Sequence, residues 1–199
     1  MKKQILVAGS IAYDHLFLFA GVFQDELMVD SKEPISVAFN VKDKKIHFGG
    51  CAGNIAYNGK LLGENFAVFG IVGKNFAPYG GWLKKNGIET KYIVVDHESF
   101  TSEANVMTDK KQQQITIFHE GAAAKAKLHQ AQIKKTFEEL RDEISFAIIS
   151  PNSRDFIMAC LSECHELKIP YFFDPGQAMP VFSKNELIHI VNAASGIFL

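Results

Sequence analysis

The chain has 199 residues and a formal net charge of −1, and 47% of its residues are apolar. A chain of this length buries roughly 70% of its unfolded surface, so we expect one or at most two compact domains. The near-neutral charge gives no electrostatic footprint for duplex nucleic acid or an anionic membrane surface. The three cysteines are too few for a disulfide framework and indicate reduced thiols in a cytosol.

The amino-terminal apolar run, from Ile5 to Gly9, has the length of a strand rather than that of a signal peptide. Because it is continuously apolar, it predicts a strand buried on both faces. No stretch approaches the ~20 apolar residues that cross a bilayer. We therefore expect a cytoplasmic protein with neither a membrane nor a nucleic acid as its partner.

The next region has the period of a half-solvated strand. Apolar residues alternate with small or polar ones at Ile35, Val37, Phe39 and Val41. We expect Asp43-Lys44-Lys45 to turn the chain into Ile46-His47-Phe48, which predicts an antiparallel hairpin inserted early in the chain.

A second set of exposed strands is predicted between Tyr92 and Phe118. Its members are Tyr92–Val95, Thr101–Met107 and Gln114–Phe118, with a polar turn at Asp109-Lys110-Lys111. Together with the hairpin, these strands predict a small antiparallel lid over one end of a larger sheet. The lid segments span about residues 12–48 and 91–118.

After residue 120, buried strands alternate with amphipathic helices, which indicates a parallel sheet covered on both faces. The strands are Ser145–Ser150 and Pro170–Phe173, and the last helix runs from about Ser183 to Asn192. The apolar stripes of the two earlier helices are Ile133, Phe137, Leu140 and Ile144, and Ile157, Cys160, Leu161, Cys164 and Leu167. We expect Asn152 or Ser153 to cap the second of these helices. The fold class is α/β, with a mainly parallel sheet flanked by helices and a small β lid.

The chain ends on the apolar run from Gly196 to Leu199. A parallel strand buried on both faces needs a crossover helix and a neighbour, so we expect residues 1–199 to be one truncated domain whose C-terminal part is missing. The alternative is an edge strand covered by a second copy of the chain in a homodimer.

The densest functional signal is the run Gly49-Gly50-Cys51-Ala52-Gly53-Asn54. Gly49 and Gly50 lie between the lid hairpin and a helix, where two glycines provide a pivot and a close approach to a ligand. Asn54 lies in the first turn of the helix, and its amide both donates and accepts hydrogen bonds, which suits a ligand with neighbouring hydroxyls. The alternative is a plain glycine-rich turn with Asn54 as a local cap.

Asp14 follows the first buried strand, at the sheet edge where ligands of open α/β sheets bind. An ionised carboxylate accepts two hydrogen bonds from a vicinal diol, whereas a solvated turn aspartate is the structural alternative.

These residues together resemble the ribokinase-like (PfkB) carbohydrate kinase family. The first signature of that family is matched at Gly49, Gly50, Ala52, Asn54, Ala56, Gly63 and Gly73. The resemblance runs the length of the chain. Within the family, the adenosine kinase-type branch is most similar at Phe39-Asn40-Val41, His47-Phe48-Gly49-Gly50, Thr108-Asp109 and residues 118–122.

The resemblance implies phosphoryl transfer from ATP, with Mg²⁺, to a primary hydroxyl of a nucleoside or sugar. It implies that Asp14 and Asn54 hold ribose hydroxyls and that Gly49-Gly50 is the lid hinge. Phe39 and Phe118 are candidates for stacking on a base, and packing within the lid is the alternative. Asp174 and Gln177 are second choices, because the matching segment of some relatives lies near the phosphates.

The sequence after the lid strands, from residue 120 onward, contains no match to two later segments of the family. One is an Asn-x-x-Glu segment that organises magnesium and phosphate, and the other is a Gly-Ala-Gly-Asp segment that supplies the general base. We therefore expect no catalytic residue, a largely missing ATP and Mg²⁺ site, and no phosphorylation by this chain alone. The alternatives are a ribose or hexose kinase and a non-catalytic ligand-binding remnant.

Other features carry less weight. Cys160, Cys164 and His165 are close in sequence, but the two thiols lie on an apolar helix stripe, so we expect no metal site. Asn75 stands where the family usually has Asp, and Gly59 and Gly80-Gly81 fall within expected helices. We interpret these departures as relaxed constraint.

Overall fold

The computed structural model describes residues 3–27 and 36–198. Its strands are, in chain order, β1 (Gln4–Ala8), β2 (Ala12–Phe19), β3 (Val41–Gly49), β4 (Phe66–Phe69), β5 (Ile71–Gly73), β6 (Val94–Asp96), β7 (Ser102–Thr108), β8 (Gln114–His119), β9 (Ile144–Ile149), β10 (Tyr171–Phe173) and β11 (Gly196–Ile197). The α-helices are α1 (Phe23–Glu26), α2 (Cys51–Leu61), α3 (Ala77–Lys85), α4 (Gln130–Leu140), α5 (Arg154–Glu166) and α6 (Lys184–Ala193). Two 3-10 segments span Gly121–His129 and Gly176–Val181.

The main sheet is parallel, with strand order β11-β10-β9-β1-β4. The continuous apolar run of β1 has its physical cause here, because β1 lies between β9 and β4 with helices on both faces. Leu6 packs into a core shared with α4 and α5, whereas Val7 packs into a core shared with α2 and α3. The predicted fold class is confirmed.

The second sheet, for which we keep the name lid, has the order β3-β2-β7-β8. β3 and β2 pair antiparallel, β2 and β7 pair parallel, and β7 and β8 pair antiparallel. The predicted turn at Asp109 is confirmed, because the Asp109 carboxylate accepts hydrogen bonds from the N–H groups of Lys111 and Gln113.

The turn predicted at Asp43-Lys44-Lys45 is wrong. These residues lie in the middle of β3, where they pair with Leu18, Phe17 and Leu16. Because β3 is an edge strand with both faces open to solvent, it tolerates a charged run that would be costly in a central strand. The hairpin is formed by β2 and β3, and Ile35 lies outside the described residues.

Two other boundaries differ from the prediction. The strand expected at Tyr92–Val95 is β6, which pairs with β5 instead of joining the lid. Ile144 begins β9 rather than ending a helix. It continues the apolar stripe of Ile133, Phe137 and Leu140 because all four side chains reach the same core.

The relaxed-constraint interpretation is wrong for Asn75 and Gly59. The Oδ1 atom of Asn75 accepts a hydrogen bond from the Thr101 N–H, and its carbonyl accepts one from the Tyr13 hydroxyl, both at 2.8 Å. A side chain at Gly59 would overlap the ring of Phe66. Gly81, by contrast, has open space around its Cα.

None of the helices in the described part of the chain has both the length and the apolar character needed to cross a membrane.

We predict opposite effects of alanine at Gly50 and Gly81 on the free energy of unfolding. Gly50 has φ +85°, and a Cβ there would lie 2.7 Å from the Ala12 nitrogen, so Gly50→Ala should lower stability by about 1–3 kcal/mol. Gly81→Ala, in an exposed helix interior, should raise stability by up to about 1 kcal/mol. Urea unfolding measures both values, and equal effects at the two positions would contradict the packing described for Gly50.

Candidate functional site

The link between β1 and β2 and the start of α2 form one tightly packed unit. A Cβ on Gly50 would lie 2.8 Å from the Ile11 Cα, so the backbones touch with no room for a side chain. The Cys51 N–H donates to the Ser10 Oγ at 2.9 Å, and the Ala52 N–H donates to the Ser10 carbonyl at 3.0 Å. Ser10 thereby satisfies two of the unpaired donors at the start of the helix.

The Asp14 carboxylate lies so close to the backbone of Gly49 that any side chain at Gly49 would overlap it. Burial raises the pKa of Asp14, while the nearby His47 and His15 lower it. His47 stands directly opposite Asp14 in the β2–β3 register. Asp14 is thus a half-buried hydrogen-bond acceptor packed against the Gly49 backbone.

Tyr79 of α3 supports this unit from behind, and the sequence analysis did not identify it. Its hydroxyl donates to the Gly49 carbonyl at 2.9 Å and occupies the space that a side chain at Gly53 would fill. Burial raises the pKa of Tyr79 well above its usual value, and the charge of Asp14 raises it further. The hydroxyl therefore stays a neutral donor, and the glycine at position 53 has a packing reason.

The Cys51 thiol is influenced by the charges of both Asp14 and the second-choice residue Asp174. Burial raises the pKa of the Cys51 thiol, the hydrogen bond with Ser10 opposes this shift, and the charges of Asp174 and Asp14 raise it further. Asp174 follows β10, where its N–H donates to the Ile149 carbonyl at 2.9 Å. The charges of both carboxylates therefore act on one thiol, whereas Gln177 is exposed in the following 3-10 segment.

Phe118 shares a cross-strand row with Asp14. The register places His47, Asp14, Ala104 and Phe118 opposite one another on β3, β2, β7 and β8. Residues opposite one another project from the same face, so Asp14 and Phe118 are two strand spacings, or about 10 Å, apart on one face. Phe118 is 57% exposed.

Two more apolar side chains belong to this face. Leu16 and Leu18 follow Asp14 along β2 at the same alternation, and they are 39% and 53% exposed. The face thus has a carboxylate at its base and an open apolar surface beside and above it. The sequence analysis missed these leucines because it placed the hairpin later in the chain.

Asn54 and Phe39 have different surroundings. Asn54 is exposed at the fourth position of α2, and its N–H donates to the Gly50 carbonyl at 3.0 Å. The ring of Phe39 packs against Phe19 and Phe23, with centroids 5.1 and 5.3 Å apart. Phe19 is five residues beyond Asp14 on β2, or roughly 16 Å along the strand, so the structure does not bring Phe39 to the Asp14 row.

Among the described residues, no three side chains of His, Cys, Asp or Glu converge as ligands for a metal ion. Cys160 and Cys164 are buried in the core, where burial raises the pKa of both thiols. The candidate site thus consists of the Asp14 carboxylate and an exposed apolar surface formed by Leu16, Leu18 and Phe118.

Comparison with known proteins gives relatives of this geometry. A nucleoside kinase of Methanocaldococcus jannaschii is 26% identical over 202 residues, which cover 99% of this chain and 60% of that protein. Its crystal structure matches with a TM-score of 0.78. The Burkholderia thailandensis nucleoside kinase in complex with inosine is 30% identical with a TM-score of 0.74, over 97% of this chain and 59% of that one.

More distant structures share the fold alone, among them Arabidopsis thaliana ribokinase complexed with ribose and ATP, at 17% identity and a TM-score of 0.65. The chain spans about 60% of the length of the nucleoside kinases that it matches. The family model for pfkB family carbohydrate kinases matches residues 20–198. With this match, the glycine-rich signature and the ribokinase-like fold, the chain belongs to the pfkB family of carbohydrate kinases.

Proposed function

We propose that this chain provides the acceptor-binding half of a nucleoside kinase for adenosine-like purine nucleosides. Asp14 and Asn54 would bind the ribose hydroxyls, and Phe118 would contact the base. The observation that carries this proposal is the shared row of Asp14 and Phe118 on one exposed face. The similarity to nucleoside kinases supports it independently.

The dimensions of the row favour a nucleoside over a free sugar. A ribose held at Asp14 does not reach across two strand spacings of about 10 Å in total, whereas a base attached to that ribose extends in this direction. The flat apolar surface formed by Leu16, Leu18 and Phe118 suits an aromatic base and offers little to a free polyol. A kinase for ribose or a hexose derivative remains the second candidate and would need only the Asp14 end.

The residues of this chain would act by binding and orientation. The ionised Asp14 carboxylate accepts hydrogen bonds from two neighbouring hydroxyls, which fixes the direction of the primary hydroxyl. The lid sheet, pivoting at Gly49-Gly50, would cover the acceptor and exclude water. Activation and transfer of phosphate are not assigned to any residue described above.

We predict that the purified chain binds adenosine or inosine in titration calorimetry and that two substitutions weaken this binding. Asp14→Asn should lower affinity about tenfold or more, because it removes a charged hydrogen-bond acceptor. Phe118→Ala should lower nucleoside affinity by roughly 5- to 100-fold, because a stacking surface is lost.

Matched controls come from the same sheet. Ile117→Ala changes the adjacent exposed side chain on the opposite face, and Glu103→Gln removes a carboxylate that lies opposite Tyr13, also on the opposite face. Both should leave binding unchanged. Tighter binding of ribose or fructose 6-phosphate than of either nucleoside would overturn the nucleoside assignment in favour of a sugar kinase.

Acceptor binding should weaken in acid. Because burial raises the pKa of Asp14 above its ordinary value, the carboxylate takes up its proton at a higher pH than an exposed aspartate does. The ligand is bound by the ionised form, so affinity should be full at neutral pH and fall as the pH drops through this raised pKa. In Asp14→Asn the same fall should be absent. An unchanged pH profile in that variant would assign the dependence to another group.

We expect no sustained ATP turnover from these 199 residues with adenosine and magnesium. The reason is that residues 120–199 have no match to the family segments that organise magnesium and supply the general base. A coupled assay of ADP release measures this directly, and adding nucleoside to the purified chain should not raise the rate above that of buffer. Turnover that depends on nucleoside and persists after repurification would refute the acceptor-half proposal.

A further inference from the structure

The lid is joined to the main sheet by two pairs of connections, and the second pair converges on one buried carboxylate. In that pair, residues 97–101 lead from β6 into β7, and residues 120–129 lead out of β8 toward α4. Asp96 is the last residue of β6 and is only 7% exposed. It is not part of the Asp14 site, and the sequence analysis gave it no role.

The two oxygens of Asp96 serve different connections. Oδ1 accepts hydrogen bonds from the N–H groups of Glu98 and Ser99, at 2.8 and 3.0 Å, on the connection that enters the lid. Oδ2 lies 3.1 Å from His129 Nε2 and 3.7 Å from Lys125 Nζ, on the connection that leaves it. A single side chain therefore bridges the entrance and the exit of the β7–β8 hairpin.

His129 is oriented by this contact. An ionised carboxylate has no proton to donate and can only accept hydrogen bonds, so Nε2 of His129 is the donor. The other ring nitrogen, Nδ1, is buried and has no hydrogen-bond partner among the described residues. Asp96 is thus the group that holds the ring, whose side chain is only 14% exposed.

The Asp96 carboxylate is ionised at neutral pH. Burial raises its pKa, but the hydrogen bonds from His129, Glu98 and Ser99 and the nearby Lys125 outweigh burial and lower the pKa to about 2. Two hydrogen bonds to backbone carbonyls also join the two connections. The Ala122 N–H donates to the Phe100 carbonyl at 2.8 Å, and the Ser102 hydroxyl donates to the Glu120 carbonyl at 2.6 Å.

We propose that Asp96 is a positioning residue that makes the two connections of the β7–β8 hairpin open and close as one hinge. Loss of the Asp96 carboxylate frees the turn at 97–101 and the segment at 120–129 together, although the substitution changes no residue within either segment. This inference concerns the mechanics of the lid and stands whether or not the chain binds nucleosides.

The test is hydrogen–deuterium exchange of the purified 199-residue chain, followed by mass spectrometry. Asp96→Asn should raise the exchange rates of peptides from both connections by about tenfold or more, because several hydrogen bonds to a charged group are weakened. Exchange in β1 and β9 should stay within about twofold of the wild-type rate, since local opening does not require global unfolding.

The decisive variant is His129→Ala. The His129 side chain lies in the connection that leaves the hairpin, residues 120–129. Coupling through Asp96 nevertheless predicts faster amide exchange also at Glu98 and Ser99, in the connection that enters it. His129→Gln, which keeps a donor, should restore much of the protection. This pair of variants also decides the question if Asp96→Asn does not fold.

The matched control is Asp155→Asn. Asp155 also pairs with the exit segment, through Lys127 Nζ at 3.3 Å, but this ion pair is at the surface. The Asp155→Asn substitution should leave the exchange rates of residues 97–101 unchanged. The proposal is overturned if His129→Ala speeds exchange only within 120–129, if exchange rises uniformly through the core, or if Asp155→Asn acts as His129→Ala does.

Discussion

The close contact of Gly50 with the link between β1 and β2 is the constraint on which the candidate site depends. With φ at +85° and no side chain, Gly50 lets the start of α2 approach Ser10, Ile11 and Ala12 at backbone distance. This approach, together with the β2–β3 pairing, places the Asp14 carboxylate against Gly49, and the charges of Asp14 and Asp174 both act on the Cys51 thiol. The residues of the site come from separate parts of the chain, and this packing brings them together.

The second pair of lid connections is held by side chains instead of by backbone packing. Asp96 and Asp109, at either end of the β7 region, use the same arrangement: one carboxylate oxygen closes a turn and the other accepts from a neighbouring segment. Between the two pairs, Asn75 accepts from both Tyr13 and Thr101. The lid therefore has a glycine join held by backbone packing on one side and a polar, charge-assisted join on the other.

Much of the fold could be predicted from the sequence, because buried strands and helix stripes leave a direct pattern. The errors have physical causes. Asp43-Lys44-Lys45 reads as a turn, but an edge strand open on both faces has no alternation to display. The glycine-rich motif pointed to Gly49, Gly50 and Asn54, whereas Tyr79 and Asp96 carry no local signal, since their partners are distant in sequence. The position of His47 could have been predicted, because a correct β2–β3 register places it opposite Asp14.

The position of β1 in the centre of the main sheet has a consequence for the order of assembly. Ile5 pairs with Phe66 on one side and with Phe146 on the other. During synthesis, β1 therefore gains one neighbour once β4 has left the ribosome, and it gains the second only after β9, which begins at Ile144, has followed. Throughout that interval it has an open hydrogen-bonding edge flanked by apolar side chains, which is the surface that chaperones shield and that promotes misassembly.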